Sequence, residues 1–227
     1  MTTTIRNILQ DLERVRENML ALSDDIWLSI DHNDPESLQH GVQFKQAYNE
    51  RMIAFDRLAS EISEMVQKFT DIRVDDPEPD ETEVREPETD GQKNERIIRE
   101  LDREESHGID EDFTYKRPYG FVLCGRGFKD VVTWRRIFEQ ICTMLYEQDT
   151  GRFKTLTGST AFKTRRGNVY FASDPARLRV AAEVVPGIFA EINLSANNLR
   201  NVIRELLKIF SIPETEMTIY LRQDRDA

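Results

Sequence analysis

Apolar residues recur at alternating three- and four-residue spacing from the start of the chain. Ile5, Ile8, Leu12, Val15, Met19, Leu22 and Ile26 form a heptad seam. A seam of this kind predicts a long helix over residues 4–30 that packs against other helices. The stretch Asp31-His32-Asn33-Asp34-Pro35 breaks the pattern, with Asp34 suited to an N-cap and Pro35 to the first helical position. A second helix is predicted over residues 35–70, its seam held by Val42, Lys45, Met52, Phe55, Ala59, Ile62, Val66 and Phe69, with Leu38 and Tyr48 beside it. At about 1.5 Å per residue the two helices would run roughly 40 and 50 Å. The short connection favours antiparallel neighbours, hence a helical hairpin of coiled-coil character. Leu9, Leu20, Trp27, Phe44, Leu58 and Met65 lie off the seams and ask for further cover. Two arrangements meet that need: association into a four-helix bundle or on a partner, or a hairpin folded back on its own C-terminal domain.

Residues 71–112 lose the periodicity. The run VDDPEPDETEVREPETDGQ is rich in acids and proline and poor in large apolar residues, which predicts an acidic, largely disordered linker. Within it Ile97, Ile98 and Leu101 allow one or two helical turns, and His107 is read as solvated.

A second kind of pattern begins at residue 113. Strands are predicted over 119–124 and 128–132, joined by a turn at Gly125-Arg126-Gly127. Thr133 caps a helix with Trp134, Ile137, Phe138, Ile141, Met144 and Leu145 on one face. Gly151 and Gly158 bracket a loop or short helix. A basic turn at 163–167 leads into a strand over 168–172, and Ser173-Asp174-Pro175 turns the chain again. Ile188, Ala190 and Ile192 alternate with Phe189, Glu191 and Asn193, a period of two that predicts a strand. Ser195 then caps a helix whose apolar stripe is Leu199, Val202, Ile203, Leu206, Leu207 and Phe210. Residues 216–222 supply a last strand. The order is β-β-α-β-β-α-β, and the whole chain reads as α+β in three parts: a hairpin over 1–70, a linker over 71–112 and a basic domain over 113–227.

Charge sharpens this division. The chain of 227 residues has a net charge of −11. Residues 1–70 carry 7 basic and 12 acidic residues, residues 71–112 carry 6 and 18, and residues 113–227 carry 18 and 12. The last part alone is basic, so the global figure does not exclude a polyanionic ligand. Its candidate nucleic-acid contacts are Lys163, Arg165 and Arg166 on a turn, Arg200, Arg204 and Lys208 along a helix, and Arg135 and Arg136 at the start of the other helix. The competing readings are an acidic protein partner and a plain solvated surface in which acids such as Glu205 neutralise these cations.

No catalytic motif stands out. Gly125-Arg-Gly127 lacks the ending of a phosphate loop. His32 and His40 with Asp31, Asp34 and Glu36 can be drawn as a metal site, but acids at a helix start serve as caps. Ser195 has no histidine in its domain to act as a base. A metal-dependent nuclease would rest on Asp174, Glu183 and Glu191, at a spacing that matches no known motif. Cys124 and Cys142 stand among apolar residues and read as buried thiols of a reducing compartment. No long apolar run predicts a membrane span, and the N-terminal residues lack the features of a signal peptide, so a cytoplasmic location is expected. No cofactor or metal is expected.

The pieces of residues 113–227 resemble a C-terminal accessory domain that recurs in prokaryotic restriction and anti-phage defence proteins, some of which carry ParB-like nuclease domains of the GmrSD kind. The likeness rests on the aromatic hairpin followed by Trp134, on residues 142–146, on Tyr170-Phe171-Ala172-Ser173-Asp174-Pro175, and above all on residues 187–197. A helical hairpin stands where those relatives have their nuclease domain. The resemblance implies a bacterial or archaeal defence protein with this domain as an accessory recognition or docking module. Together with the heptad seams, the segregated charge and the lack of a catalytic motif, it leads us to expect a non-catalytic accessory subunit, homo-oligomeric or bound to a larger assembly, contacting DNA, RNA or a protein through its basic domain. The alternatives are the nuclease and an acidic inhibitor acting through residues 71–112.

Overall fold

The computed structural model describes residues 2–72, 89–163, 167 and 169–222. The protein is a mixed α+β chain: a helix pair in contact, then helices and two antiparallel sheets. It divides into two compact units, Met1–Val74 with Lys154–Ser195, and Asp75–Phe153 with Ala196–Ala227. The stretch read as one basic domain therefore contributes to both.

In the first unit, α1 (Thr2–Leu28) and α2 (Pro35–Thr70) form the hairpin. Asp34 caps α2 by accepting the Ser37 N–H, and Pro35 opens its first turn. The helices run antiparallel, since partners on one rise as those on the other fall. Gly41 lies against Ile30, where a Cβ would collide. Lys45 Nζ reaches Ser23 and Asp24 at 2.8 Å each, the Tyr48 hydroxyl donates to the Met19 carbonyl at 2.8 Å, and Asp56 meets Arg16 at 3.2 Å.

The hairpin is backed by the C-terminal part of its own unit. The Arg16 guanidinium donates to the Ile192 carbonyl at 2.9 Å, and the Ser195 hydroxyl donates to Asp24 at 3.0 Å. The fold-back arrangement thus covers one side of α1. Residues 154–195 add a three-stranded antiparallel sheet of order β4-β6-β5, from β4 (Phe171–Ala172), β5 (Ala181–Val185) and β6 (Ile188–Glu191). The strand β5 is an addition to the expected order, and Asn168 lies outside the described residues.

In the second unit a four-stranded antiparallel sheet has the order β1-β7-β2-β3, from β1 (Ser106–Gly108), β2 (Pro118–Leu123), β3 (Arg126–Lys129) and β7 (Met217–Leu221). The helices α4 (Trp134–Gln148) and α6 (Ala196–Ile209) bury apolar faces, among them Trp134, Phe138, Ile141, Leu199, Ile203 and Leu206. Thr133 caps α4 through the Arg136 N–H. A five-residue helix, α5 (Thr150–Lys154), follows α4. β2 and β3 meet through a two-residue turn at Cys124-Gly125, both with positive φ (49° and 73°), which is the type I′ geometry that matches strand twist. That turn exposes Cys124, which the sequence reading buries, whereas Cys142 is buried as expected.

The acidic stretch is also more structured than its composition implies. Residues 73–88 lie outside the described residues, but Thr89 caps α3 (Asp90–Leu101) in a reciprocal capping box with Gln92. Asn94 holds the β2–β3 turn with both ends of its amide, donating to the Gly125 carbonyl and accepting the Gly127 N–H, each at 2.8 Å. Leu101 is buried, and Gly127 leaves room for α3, since a Cβ there would stand 2.9 Å from Ile98. His107 is on β1 paired with Ile219, and its Nδ1 lies 2.8 Å from Glu111.

Candidate assembly surface

The seam that predicts α1 borders its contact with α2 instead of filling it: Ile5, Leu12, Met19 and Ile26 are half-buried, and the Met19 carbonyl meets Tyr48. The line facing α2 includes Leu9, Arg16 and Ser23, all buried, at seven-residue spacing. One residue earlier, Ile8, Val15 and Leu22 are exposed at 61%, 47% and 44%. On α2 the line toward α1 holds Lys45, Met52, Ala59 and Val66, of which Met52 and Ala59 are buried. One residue earlier again, Phe44, Leu58 and Met65 are exposed, with Arg51 completing the repeat. Ile62 and Phe69, four residues beyond Leu58 and Met65, are exposed as well.

The two exposed lines share a face. Side-by-side antiparallel helices are related by a two-fold axis perpendicular to their common plane. A step of one residue is about 100° of rotation in the same sense on each helix, so both lines turn to the same side of the hairpin. Among the described residues, every exposed large hydrophobic except Tyr115 lies on α1 or α2.

The inner side is the reverse. Arg6, Arg16, Glu17, Ser23 and Asp56 are buried, and Arg16 and Asp56 are each about 1% exposed. Arg16 also meets Glu13 at 3.1 Å. A buried pair of this kind contributes little net stability but is costly to break, because the remaining charge is left in a low-dielectric interior.

The cations expected to meet phosphates are largely occupied by acids. Arg135 and Arg136 both reach Glu139, at 2.9 and 3.3 Å. Arg204 reaches Glu214 at 2.8 Å, which raises its pKa, and Lys208 lies 3.9 Å from Glu205. Arg200 bonds Asn201 and the Glu111 carbonyl. Arg135, Arg136, Arg200, Arg204 and Lys208 belong to the second unit and Lys163, which is exposed, to the first. Arg165 and Arg166 lie outside the described residues.

The acids proposed for a nuclease hold backbone. Glu191, 3% exposed, accepts from the N–H groups of Arg179, Val180 and Asn193, and its Oε2 lies 3.3 Å from the Arg179 guanidinium. Asp174 accepts from the Ala176 N–H and Glu183 from the Gly187 N–H of the β5–β6 turn. His32 lies against Trp27 and reaches its carbonyl, while Asp31 accepts the Asn33 N–H. Among the described residues no group of three or more His, Cys, Asp or Glu is placed to hold a metal ion, and no helix is long and apolar enough to cross a membrane. A cleft of about 320 Å³ beside Cys124, lined also by Met144, Leu145 and Ile212, lies in the second unit. Partial desolvation of the Cys124 sulfur, at a residue that is otherwise exposed, and the Glu216 carboxylate raise its thiol pKa, which keeps it protonated and a poor nucleophile.

No protein-family model matches the chain, and no curated protein or solved structure matches it either.

Proposed function

We propose that this chain is a non-catalytic assembly protein. Its hairpin joins copies or partners, and its α+β units provide recognition surfaces, in the manner of an accessory subunit of a prokaryotic defence complex. The observation that carries the reading is that eight of the ten exposed large hydrophobics among the hairpin's described residues, all but Leu28 and Val42, gather on one face. Apolar side chains clustered in this way mark an interaction site. The engagement of Asp174, Glu183 and Glu191 with backbone N–H groups favours it over a carboxylate-dependent nuclease. The acid partners of Arg135, Arg136, Arg204 and Lys208 favour a protein contact over a phosphate backbone, which needs cations free to displace counterions.

Affinity purification of the tagged full-length chain from its native host, with proteins and nucleic acids both identified, tests the reading. Recovery of another protein in fixed ratio is the expected result. Metal-stimulated cleavage of DNA or RNA by the purified chain, lost on Asp174→Asn, would overturn it.

A further inference from the structure

We infer that the exposed face of the hairpin is covered by a second copy of the same chain, the two hairpins stacking face to face as a two-fold four-helix bundle. This deepens the assembly reading and rests on it.

The first argument is phase. On both helices the exposed line stands one residue before the line facing the other helix: 8, 15, 22 against 9, 16, 23, and 44, 51, 58, 65 against 45, 52, 59, 66. Each line has apolar companions four residues on, namely Leu12, Met19 and Ile26 on α1 and Tyr48, Phe55, Ile62 and Phe69 on α2. The face therefore shows two antiparallel seams of 3-4 spacing with an approximate two-fold axis between them. An isologous dimer uses one patch twice, and two copies of this face bring four such seams together, the number a four-helix bundle needs. Seams that keep 3-4 spacing over several heptads suit knobs-into-holes packing on facing helices.

Area agrees with a second copy: Ile8, Val15, Leu22, Phe44, Leu58, Ile62, Met65 and Phe69 are each 39–90% exposed, a surface on the order of the roughly 800 Å² that each partner contributes to a standard interface. The second argument is charge. The chain as a whole is strongly acidic, yet neither seam contains an acid, and Arg51 is the one charged residue in them. Two copies therefore meet there without the repulsion they would face elsewhere. A lone polar residue among apolar seam positions sets register and partner number.

The test is sedimentation or light scattering of the purified full-length chain, mass 26.5 kDa, between about 1 and 100 µM, a range that brackets associations of micromolar strength. The expected result is twice the monomer mass, with Leu58→Glu/Met65→Glu returning the chain to the monomer and weakening association at least about 100-fold, because buried carboxylates would lack partners. Far-UV circular dichroism separates loss of association from loss of the helices. Ile8→Ser/Val15→Ser is a milder variant that reaches the same face from α1. A wild-type chain that stays monomeric across this range overturns the inference, as does a dimer unmoved by both folded variants. A monomer that still recovers a partner in fixed ratio would sink the second copy and leave the assembly reading standing. A dimer that recovers none would leave the second copy standing and sink the accessory-subunit part of that reading.

Discussion

The two units bury different things. In the second, the buried residues of α4 and α6 are apolar throughout, and among the described residues the one buried polar side chain is Thr133, at a helix cap. In the first, Arg6, Arg16, Glu17, Ser23, Asp56, Glu191, Asn193 and Ser195 are buried while Ile8, Leu58, Met65 and Phe69 face out. The second unit satisfies the hydrophobic effect within one chain. The first buries charges between its helices, where Arg16 and Asp56 pair, and leaves an apolar line of each helix exposed. A helix pair cannot bury more than one stripe per helix in its own contact, so an amphipathic helix with both a polar buried line and an apolar exposed line is incomplete alone.

The largest effects should come from the two cores and should differ in kind. Arg16→Ala leaves Asp56 buried and should cost about 3–5 kcal/mol in urea unfolding, whereas Arg16→Met/Asp56→Leu should be neutral or stabilising. Equal losses in the single and double variants would mean that the pair is not what the inner side depends on. Phe138→Ala should also cost about 3–5 kcal/mol, and no second substitution of this type should restore it, because the deficit is a cavity.

Next in size is Asn94→Ala, which leaves the Gly125 carbonyl and Gly127 N–H without their partner. It should cost about 1–2 kcal/mol, with faster hydrogen exchange at Gly127 as the direct readout. The smallest effect is a titration. Hydrogen bonds from Thr114 and Asn197 hold the Asp112 carboxyl down to about 2. A depressed carboxylate stabilises the fold above its unfolded pKa and loses that contribution as the pH falls toward 2. Because the group is exposed, the loss should be a few tenths of a kcal/mol. Asp112→Asn should remove that step from the stability–pH curve between about pH 4 and 2.

Much of this contrast is legible in the residues. Asp34-Pro35 marks the start of α2 and Thr133 that of α4, and a glycine turn is read between two strands at Gly125-Arg126-Gly127, one residue later than the Cys124-Gly125 turn that forms. The heptad spacing of Ile5 to Ile26 identifies α1 as a helix with a seam. It does not say which seam faces inward, because an apolar line looks the same whether its partner lies in the same chain or another. The buried line runs through Arg16 and Ser23, residues that periodicity counts as surface.

Composition hides α3. The acids around Thr89 outweigh the capping box and the Ile97, Ile98 and Leu101 stripe, which are the local signals for it. β5 escapes because AAEVV puts small and charged residues at the start of a short strand. Among the candidate site residues, the sequence identifies which are cations but not that Glu139 and Glu214 stand beside them. Those pairings depend on helix rotamers and on a turn ten residues away.

The Asn94 clamp bears on solubility. β3 ends its sheet, and an outward N–H at its Gly127 is an invitation to add a strand from another molecule. Asn94 occupies that N–H, and α3 lies over the glycine that a growing fibril would need. The opposite edge, β1, is three residues long, too short to template much. Both margins of the second unit's sheet are thus blunted against strand addition, and among the described residues the large exposed apolar side chains, Tyr115 apart, lie on the hairpin helices instead.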